Sequence, residues 1–250
     1  GTSLGMDAND KNPNAPTTPK IVNLIAAVKE VVNYYKGQGK DFWLTMAPET
    51  YYVQVGYGAT YAAGNVGAYL PIINGLRNEL TFVHPQYYNT GSVTALDGRA
   101  YNQATPDFSV SMSELLLQGF PVSGTSYTFA PLREDQVAIG LPAAPGAAGG
   151  GYMAPTDVTK ALNYLIKDQS FGGQYTLRKP AGYPNVRGIM TWSVNWDKAN
   201  NGGFSNAAYD FFFGTTPPNN PPTVSVSANP TSATAPATIT LSATAADSDG

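Results

Sequence analysis

The spacing of apolar residues predicts that helices and strands alternate along the first 213 residues. Residues 18–35 carry apolar side chains at helical spacing, with Pro19 suited to the first turn and Gly37 to the end. That predicted apolar face consists of Ile21, Leu24, Ile25, Val28, Val32 and Tyr35. The same reasoning predicts four more helices, at residues 66–78, at 111–117, in a segment capped by Thr156, and at 206–213.

Four short segments of continuous apolar sequence fall between these helices, at residues 42–47, 80–83, 136–141 and 186–192. Continuous apolar strands that alternate with helices indicate a parallel sheet covered by helices. At this spacing, eight strand–helix units would need roughly 350 residues, which is within the range of a (β/α)8 TIM barrel. We therefore expect an α/β chain holding about half of a barrel in residues 1–213. An open doubly wound sheet is the alternative, although no glycine-rich dinucleotide turn follows any of the strands.

The composition changes after Gly214. Residues 214–222 are rich in proline and predict a semi-extended linker. In residues 223–250 apolar residues alternate with Ser and Thr, which is typical of half-buried antiparallel strands. Two strands cannot form a sandwich of about seven, so we expect a truncated immunoglobulin-like domain here and a piece of a longer protein overall.

Composition and charge exclude several classes of function. Charged residues make up only 12% of the chain, and 14 Lys and Arg face 17 Asp and Glu without any basic cluster, which argues against a nucleic-acid partner. No apolar run is long enough to predict a membrane partner. With no cysteine and one histidine, thiol chemistry, disulfides and a multi-histidine metal centre are excluded.

The predicted strands end in amides and aromatic residues. Active sites of parallel barrels lie at the carboxyl ends of the strands, which here are residues 46–49, 86–89, 140–145 and 192–197. Few charges occur in these segments, so they favour a neutral ligand with hydroxyl and amide groups over a phosphate or a metal ion.

These strand ends also carry a family resemblance. The sequences QYYN at 86–89, GLPAAP at 140–145 and GIMTWS at 188–193 resemble the last three barrel strands of family 18 glycoside hydrolases. LTMAPE at 44–49 resembles the preceding strand in the subgroup of chitinases similar to plant hevamine and bacterial chitinase D. The resemblance covers roughly residues 1–213 and implies that they form the last four strand–helix units. The tail resembles the immunoglobulin-like or PKD-like domains of secreted chitinases.

The resemblance implies a retaining hydrolase that cleaves β-1,4 bonds between N-acetylglucosamine units of chitin. A glutamate protonates the leaving oxygen while the acetamido oxygen of the substrate attacks the anomeric carbon. Tyr88 is the implied catalytic residue and donates a hydrogen bond to that acetamido oxygen. The implied substrate-binding residues are Gln86, Asn89, Trp192, Met46, Glu49 and Tyr152. The resemblance further implies no metal or organic cofactor, chitin or its oligosaccharides as the partner, a monomer, and secretion.

One departure from the family pattern stands out. The D-x-x-D-x-D-x-E motif that ends in the catalytic glutamate does not occur in the chain. A non-catalytic chitin-binding relative and an endo-β-N-acetylglucosaminidase are therefore alternatives. We expect His84 to be structural and Asp197 to be a surface acid or a partner of a site residue.

Overall fold

The computed structural model describes residues 4–215 and 221–247. The chain divides into two compact units, Gly1–Tyr209 and Asp210–Gly250, which are described separately. Residues 216–220 of the predicted linker lie outside the described residues.

The helices and strands follow one another in the order that the apolar pattern predicts, with additions. The helices are α1 Pro19–Gly37, α2 Val55–Gly58, α3 Leu70–Gly75, α4 Pro106–Gln118, α5 Pro155–Lys167, α6 Val194–Ala199 and α7 Gly203–Phe213. The strands are β1 Leu44–Met46, β2 Leu80–Val83, β3 Ser92–Thr94, β4 Ala100–Asn102, β5 Phe120–Pro121, β6 Thr128–Phe129, β7 Ala138–Pro142, β8 Gly188–Trp192, β9 Thr223–Asn229 and β10 Thr240–Ala246.

The four predicted apolar strands are β1, β2, β7 and β8, and they lie side by side and parallel. β1 pairs with β2 and β7 with β8. Parallel bridges from Val83 to Val137 and from Gln86 to Gly140 join the two pairs. The predicted parallel strands are therefore confirmed, in the sequence order β1-β2-β7-β8.

Helices cover one face of these strands. Residues on that face, among them Val83, Tyr87, Ile139 and Leu141, are almost completely buried. In the described residues the other face is open, and Trp43 and Trp192 are exposed on it. A doubly wound sheet has helices on both faces, so the one-sided cover favours a partial barrel.

Side-chain contacts between its outer strands indicate that the sheet curls. Arg187, just before β8, places its guanidinium carbon 5.0 Å from the centre of the Trp43 ring, just before β1. The same carbon lies 5.4 Å from the centre of the Phe82 ring in β2. β1 and β8 are the first and last strands in the order, so this contact favours a sheet that bends around its open face, as a barrel wall does.

Several helix boundaries differ from the predictions. The helix expected at residues 66–78 is only α3, because left-handed turns at Gly64 and Gly67 precede it. α4 is longer than residues 111–117 because Thr105 caps it, with its hydroxyl accepting from the Phe108 amide. Thr156 is not a cap, because α5 begins at Pro155 and is preceded by Ala154. The short α2 and α6 and the two hairpins β3–β4 and β5–β6 were not predicted.

The predicted apolar face of α1 is only partly covered. Ile21 and Val32 are fully buried, whereas Leu24 and Tyr35 on the same predicted face are exposed. The helix itself is confirmed, but packing in the described residues uses only one line of its apolar side chains.

In the second unit, β9 and β10 pair antiparallel along their whole length. This confirms the two predicted strands. Their predicted half-burial is wrong for the described residues, because Val226 and Leu241 are 70% and 72% exposed. The immunoglobulin-like character of this unit stays a prediction.

Candidate active site

Two tyrosines, Tyr87 and Tyr88, follow β2 and have different surroundings. The Tyr87 ring is fully buried on the helix side, and its hydroxyl lies 3.1 Å from Ser113 Oγ of α4. Gln86, one residue before Tyr87, forms parallel bridges with Glu49 and Gly140 and lies on the opposite, open face. Tyr88 follows in a bend and lies close enough to Glu49 for that carboxylate to raise the pKa of its phenol, which places it beside Gln86.

Gln86 connects the ends of β1 and β2. Its amide nitrogen donates to the Pro48 carbonyl at 2.8 Å, and its side-chain Nε2 donates to the Ala47 carbonyl at 2.8 Å. Glu49 forms a parallel bridge with Gln86 and is exposed. Bridged residues of a parallel pair share a face, so the Glu49 carboxylate joins Gln86 and Tyr88.

Tyr88 is only 6% exposed because a glycine-rich segment lies against it. A Cβ added to Gly151, which has φ +102°, would lie 2.5 Å from the Cα and Cβ of Tyr88. Burial, and secondarily the charge of Glu49, raise the pKa of the Tyr88 phenol. The hydroxyl is therefore held in its protonated, hydrogen-bond-donating form over a wide pH range.

Trp192 ends β8 and is 55% exposed. Its carbonyl accepts from the Ala143 amide at 2.9 Å, and the peptide bond that follows it is cis. Gly140 is bridged to Gln86 and is in register with Met190, two residues before Trp192. Trp192 therefore shares the open face with Gln86, Tyr88 and Glu49.

Met46 does not share that face. It is in register with Val83, which is fully buried on the helix side of the sheet. The pairing of β1 with β2 shifts between Leu44 and Thr45, and without that shift Met46 would pair with Phe82 on the open face. The expectation that Met46 binds substrate therefore conflicts with the register of β1 and β2.

Asn89 and Tyr152 lie where the residues after β2 meet the glycine-rich segment. The Asn89 amide donates to the Gly150 carbonyl at 3.0 Å, and its side-chain Oδ1 accepts from the Gly150 amide at 3.1 Å. Tyr152 follows Gly151 and is partly exposed. Both are next to Tyr88, although the side-chain oxygen of Asn89 is used within the protein.

Two other titratable residues, Asp197 and His84, have structural roles and take no part in this group. Asp197 is 6% exposed, and its Oδ1 accepts from the amides of Phe204 and Ser205 at 3.0 and 3.3 Å. It caps the start of α7, so the expectation of a surface acid is wrong. Burial lowers the pKa of His84, whose ring centre lies 5.3 Å from that of Phe82. His84 is therefore neutral at pH 7, in keeping with the structural role expected for it.

Sequence reasoning missed Glu114, a fully buried carboxylate on α4. It accepts hydrogen bonds from the hydroxyls of Tyr175 and Tyr183, both at 2.6 Å, and from the Arg178 amide at 2.7 Å. It thereby fixes the segment that leads into β8 and Trp192. An isolated Glu in a helix gives no sequence signal for such a role, because its three donors lie more than 60 residues away.

The open face thus presents a buried phenol donor, an amide, a carboxylate and an exposed indole. Among residues 4–215 and 221–247, no three His, Asp or Glu side chains are grouped so that they could hold a metal ion. No helix in those residues is long and apolar enough to cross a membrane. A sugar with an amide substituent fits this face, because a ring can stack on the indole while the amide bonds to polar groups.

Comparison with known proteins was made by sequence and by structure. No family model matches the chain. It is 57% identical over 215 residues to Chitinase D of Niallia circulans, an alignment that covers 86% of this chain and 40% of that protein. It is 46% identical over 213 residues to a probable class II chitinase of Arthroderma benhamiae, covering 82% of this chain and 61% of that protein.

Solved structures agree with these relatives. A family GH18 chitinase from Chromobacterium violaceum superposes with a TM-score of 0.70 at 40% identity, covering 77% of this chain and 50% of that chain. A chitinase A structure from Streptomyces coelicolor, whose function is assigned provisionally, gives a TM-score of 0.56 at 35% identity, covering 68% and 50%. The chain therefore spans about half the length of the relatives that it matches.

Proposed function

The chain belongs to the family 18 chitinases over 215 residues, 86% of its length, and on that premise we propose that it forms the carboxyl-terminal half of a chitinase barrel. Residues 1–213 would supply the last four strand–helix units of a (β/α)8 barrel. The curled four-stranded sheet, covered by helices on one face, supports this assignment. We use the term complete barrel for this chain joined to the half that we propose carries the catalytic glutamate.

The reaction proposed for the complete barrel is hydrolysis of the β-1,4 bonds of chitin with retention of configuration. The acetamido oxygen of one sugar attacks its own anomeric carbon and forms an oxazolinium ring. The glycosidic bond breaks, and the leaving oxygen takes a proton from the glutamate. Water then opens the ring and returns a proton to the glutamate.

Tyr88 is the residue of this chain that we assign to catalysis. Its hydroxyl would donate to the acetamido oxygen and hold that oxygen in line with the anomeric carbon, which the oxygen attacks through its other lone pair. The raised pKa of Tyr88 supports this role, because only the neutral phenol can donate. The single observation that carries the proposal is that Gln86 and Trp192 share the open face at the strand ends, with Tyr88 close to Glu49, the bridge partner of Gln86.

Four other side chains are proposed to contact the sugar chain. Trp192 offers the stacking surface, because its indole is exposed at the end of β8. Gln86 and Glu49 offer polar groups on the same face, and Tyr152 lies at the edge of the glycine-rich segment. Met46 lies on the helix side of β1, so it would affect substrate binding only by positioning the strand.

The remaining proposals concern the protein as a whole. Residues 214–222 would be a linker, and residues 223–250 would belong to an immunoglobulin-like or PKD-like domain, which the antiparallel pair β9–β10 supports. We propose that the protein is secreted, because chitin is an insoluble polymer that an enzyme must meet outside the cell. We also propose that it is a monomer. Detection of the protein in culture medium, and its mass in solution, test these two points.

The central test compares the complete barrel with this chain alone on an N-acetylglucosamine oligomer. We expect the complete barrel to release shorter oligomers whose anomeric form is retained, and the chain alone to release none. If the complete barrel binds the oligomer without cleaving it, the protein is a chitin-binding relative. If it cleaves only a glycopeptide, it is an endo-β-N-acetylglucosaminidase.

A further inference from the structure

Asn89 has an unusual position beside the assigned catalytic tyrosine. Its backbone is in the left-handed region, with φ +54°, which Asn tolerates better than most residues. In that conformation its backbone amide donates to the Gly150 carbonyl, and its side-chain oxygen accepts from the Gly150 amide. Asn89 therefore binds Gly150 through two hydrogen bonds that together fix one peptide segment against the end of β2.

The segment that Asn89 holds consists of residues 147–151, here called the glycine loop. A second side chain restrains it, because a Cβ on Gly150 would lie 2.5 Å from Nε2 of Gln103. Gln103 is itself fixed by two hydrogen bonds. Its side-chain Oε1 accepts from the backbone amide of Thr90 at 2.9 Å, and its backbone amide donates to the Gly91 carbonyl at 2.9 Å. The glycine loop thus lies between the side chains of Asn89, which follows β2, and Gln103, which follows β4.

The glycine loop in turn lies directly on Tyr88. Gly151 approaches so closely that an added Cβ would lie 2.5 Å from the Cα and Cβ of Tyr88 and 3.0 Å from the Tyr87 carbonyl. The loop therefore limits where the Tyr88 backbone and ring can move, and it accounts for the low exposure of a tyrosine on an otherwise open face.

We propose that Asn89 is a positioning residue, which holds the glycine loop on Tyr88 and so fixes the direction in which the Tyr88 hydroxyl donates. This proposal rests on the proposed function, in which that hydroxyl bonds to the acetamido oxygen. It takes the place of the expectation that Asn89 contacts the sugar, because the side-chain oxygen of Asn89 is already bonded to Gly150 and only its NH2 group is left for a sugar.

Two substitutions distinguish positioning from contact. Asn89→Asp keeps an acceptor oxygen for the Gly150 amide and removes the amide group that a sugar could use. Asn89→Gly removes the side chain and still tolerates the positive φ, so it avoids the backbone strain that Ala would introduce. Asn23→Gly on the exposed surface of α1 is the matched control for a lost Asn side chain, and Asn23→Asp is the control for the added charge.

The first readout is turnover of an N-acetylglucosamine oligomer by the complete barrel. We expect Asn89→Gly to lower kcat by about tenfold, the effect of one lost hydrogen bond at a site that needs exact geometry, with little change in KM. Asn89→Asp should recover kcat to within about threefold of the original protein, since the acceptor is kept. If Asn89→Asp is as impaired as Asn89→Gly, or if the loss lies mainly in KM, the proposal is overturned in favour of direct contact.

The second readout needs no activity. Hydrogen exchange of the Gly150 amide, measured in the complete barrel without substrate, should accelerate in Asn89→Gly and stay slow in Asn89→Asp. Unchanged exchange in Asn89→Gly would overturn the proposal. If the unsubstituted complete barrel hydrolyses nothing, the proposed function fails, yet the exchange result still decides whether Asn89 holds the loop.

A third variant covers the case in which Asn89→Gly does not fold. Gly151→Ala displaces the glycine loop from Tyr88 and leaves Asn89 itself unchanged. We expect it to lower kcat by at least tenfold, again with a small change in KM. Full turnover in Gly151→Ala would show that the placement of the loop on Tyr88 is irrelevant, and the proposal would be wrong.

Discussion

The buried Glu114 carboxylate should dominate the stability of the segment that leads into β8. Each tyrosine hydroxyl donates to it at 2.6 Å, and the Arg178 amide donates at 2.7 Å. A hydrogen bond to a charged group contributes about 1.5–3 kcal/mol, compared with about 0.5–1.5 kcal/mol for a neutral pair. We therefore expect Tyr175→Phe to lower the free energy of unfolding of the complete barrel by about 1.5–3 kcal/mol.

The matched control is Tyr87→Phe. The Tyr87 ring is also fully buried, but its hydroxyl bonds to neutral partners, the Ser113 hydroxyl at 3.1 Å and the Gln54 amide. Its loss should cost about 0.5–1.5 kcal/mol. Urea unfolding at pH 7, followed by circular dichroism, measures both values. In a Glu114→Gln background, the cost of Tyr175→Phe should fall to that of a neutral bond.

The pH dependence has a definite sign. Burial, followed by the bond to Glu114, raises the pKa of Tyr175 above that of a free phenol. The unfolded chain ionises first as the pH rises above about 10, so the stability that the neutral phenol provides is lost at higher pH. Tyr175→Phe should flatten this alkaline loss. Equal unfolding free energies for Tyr175→Phe and Tyr87→Phe, at every pH, would refute the reasoning.

Three further predictions concern the open face and the linker. Trp192→Ala in the complete barrel should lower kcat/KM roughly tenfold and raise KM, because the stacking surface is lost; an unchanged KM in steady-state assays would contradict this. Glu49→Gln should lower the pKa of Tyr88 by removing a nearby negative charge, so phenolate absorbance, measured as a difference from Tyr88→Phe, should appear at lower pH. Brief proteolysis should cut residues 214–222 before residues 140–145, and mass spectrometry showing the opposite order would count against a linker.

The strands and the main helices could be predicted because apolar runs, helical spacing and flanking proline or glycine residues all occur within a short stretch of sequence. β2 and β7 are short apolar segments that end near proline or glycine, and α1 has helical spacing between Pro19 and Gly37. Such features depend on neighbouring residues, so they can be predicted from a single sequence.

Other features depend on distant residues and could not be predicted. The register shift at Leu44 and Thr45 moves Met46 to the helix side, and nothing in the local sequence marks it. Asp197 becomes a buried cap only because α7 begins six residues later. The hairpins β3–β4 and β5–β6 have strands of two or three residues, which are too short to show a period.

The most direct test of the account is the turnover number of Tyr88→Phe in the complete barrel. The substitution keeps the buried ring and removes only the donor. A donor that holds the attacking oxygen in place acts by positioning, and a misplacement of about 1 Å costs about 10²-fold, so we expect kcat to fall by about that factor with a much smaller change in KM on an N-acetylglucosamine oligomer. A Tyr88→Phe enzyme with near-normal kcat would contradict the role of Tyr88 and, with it, the assignment of the open face as the active site.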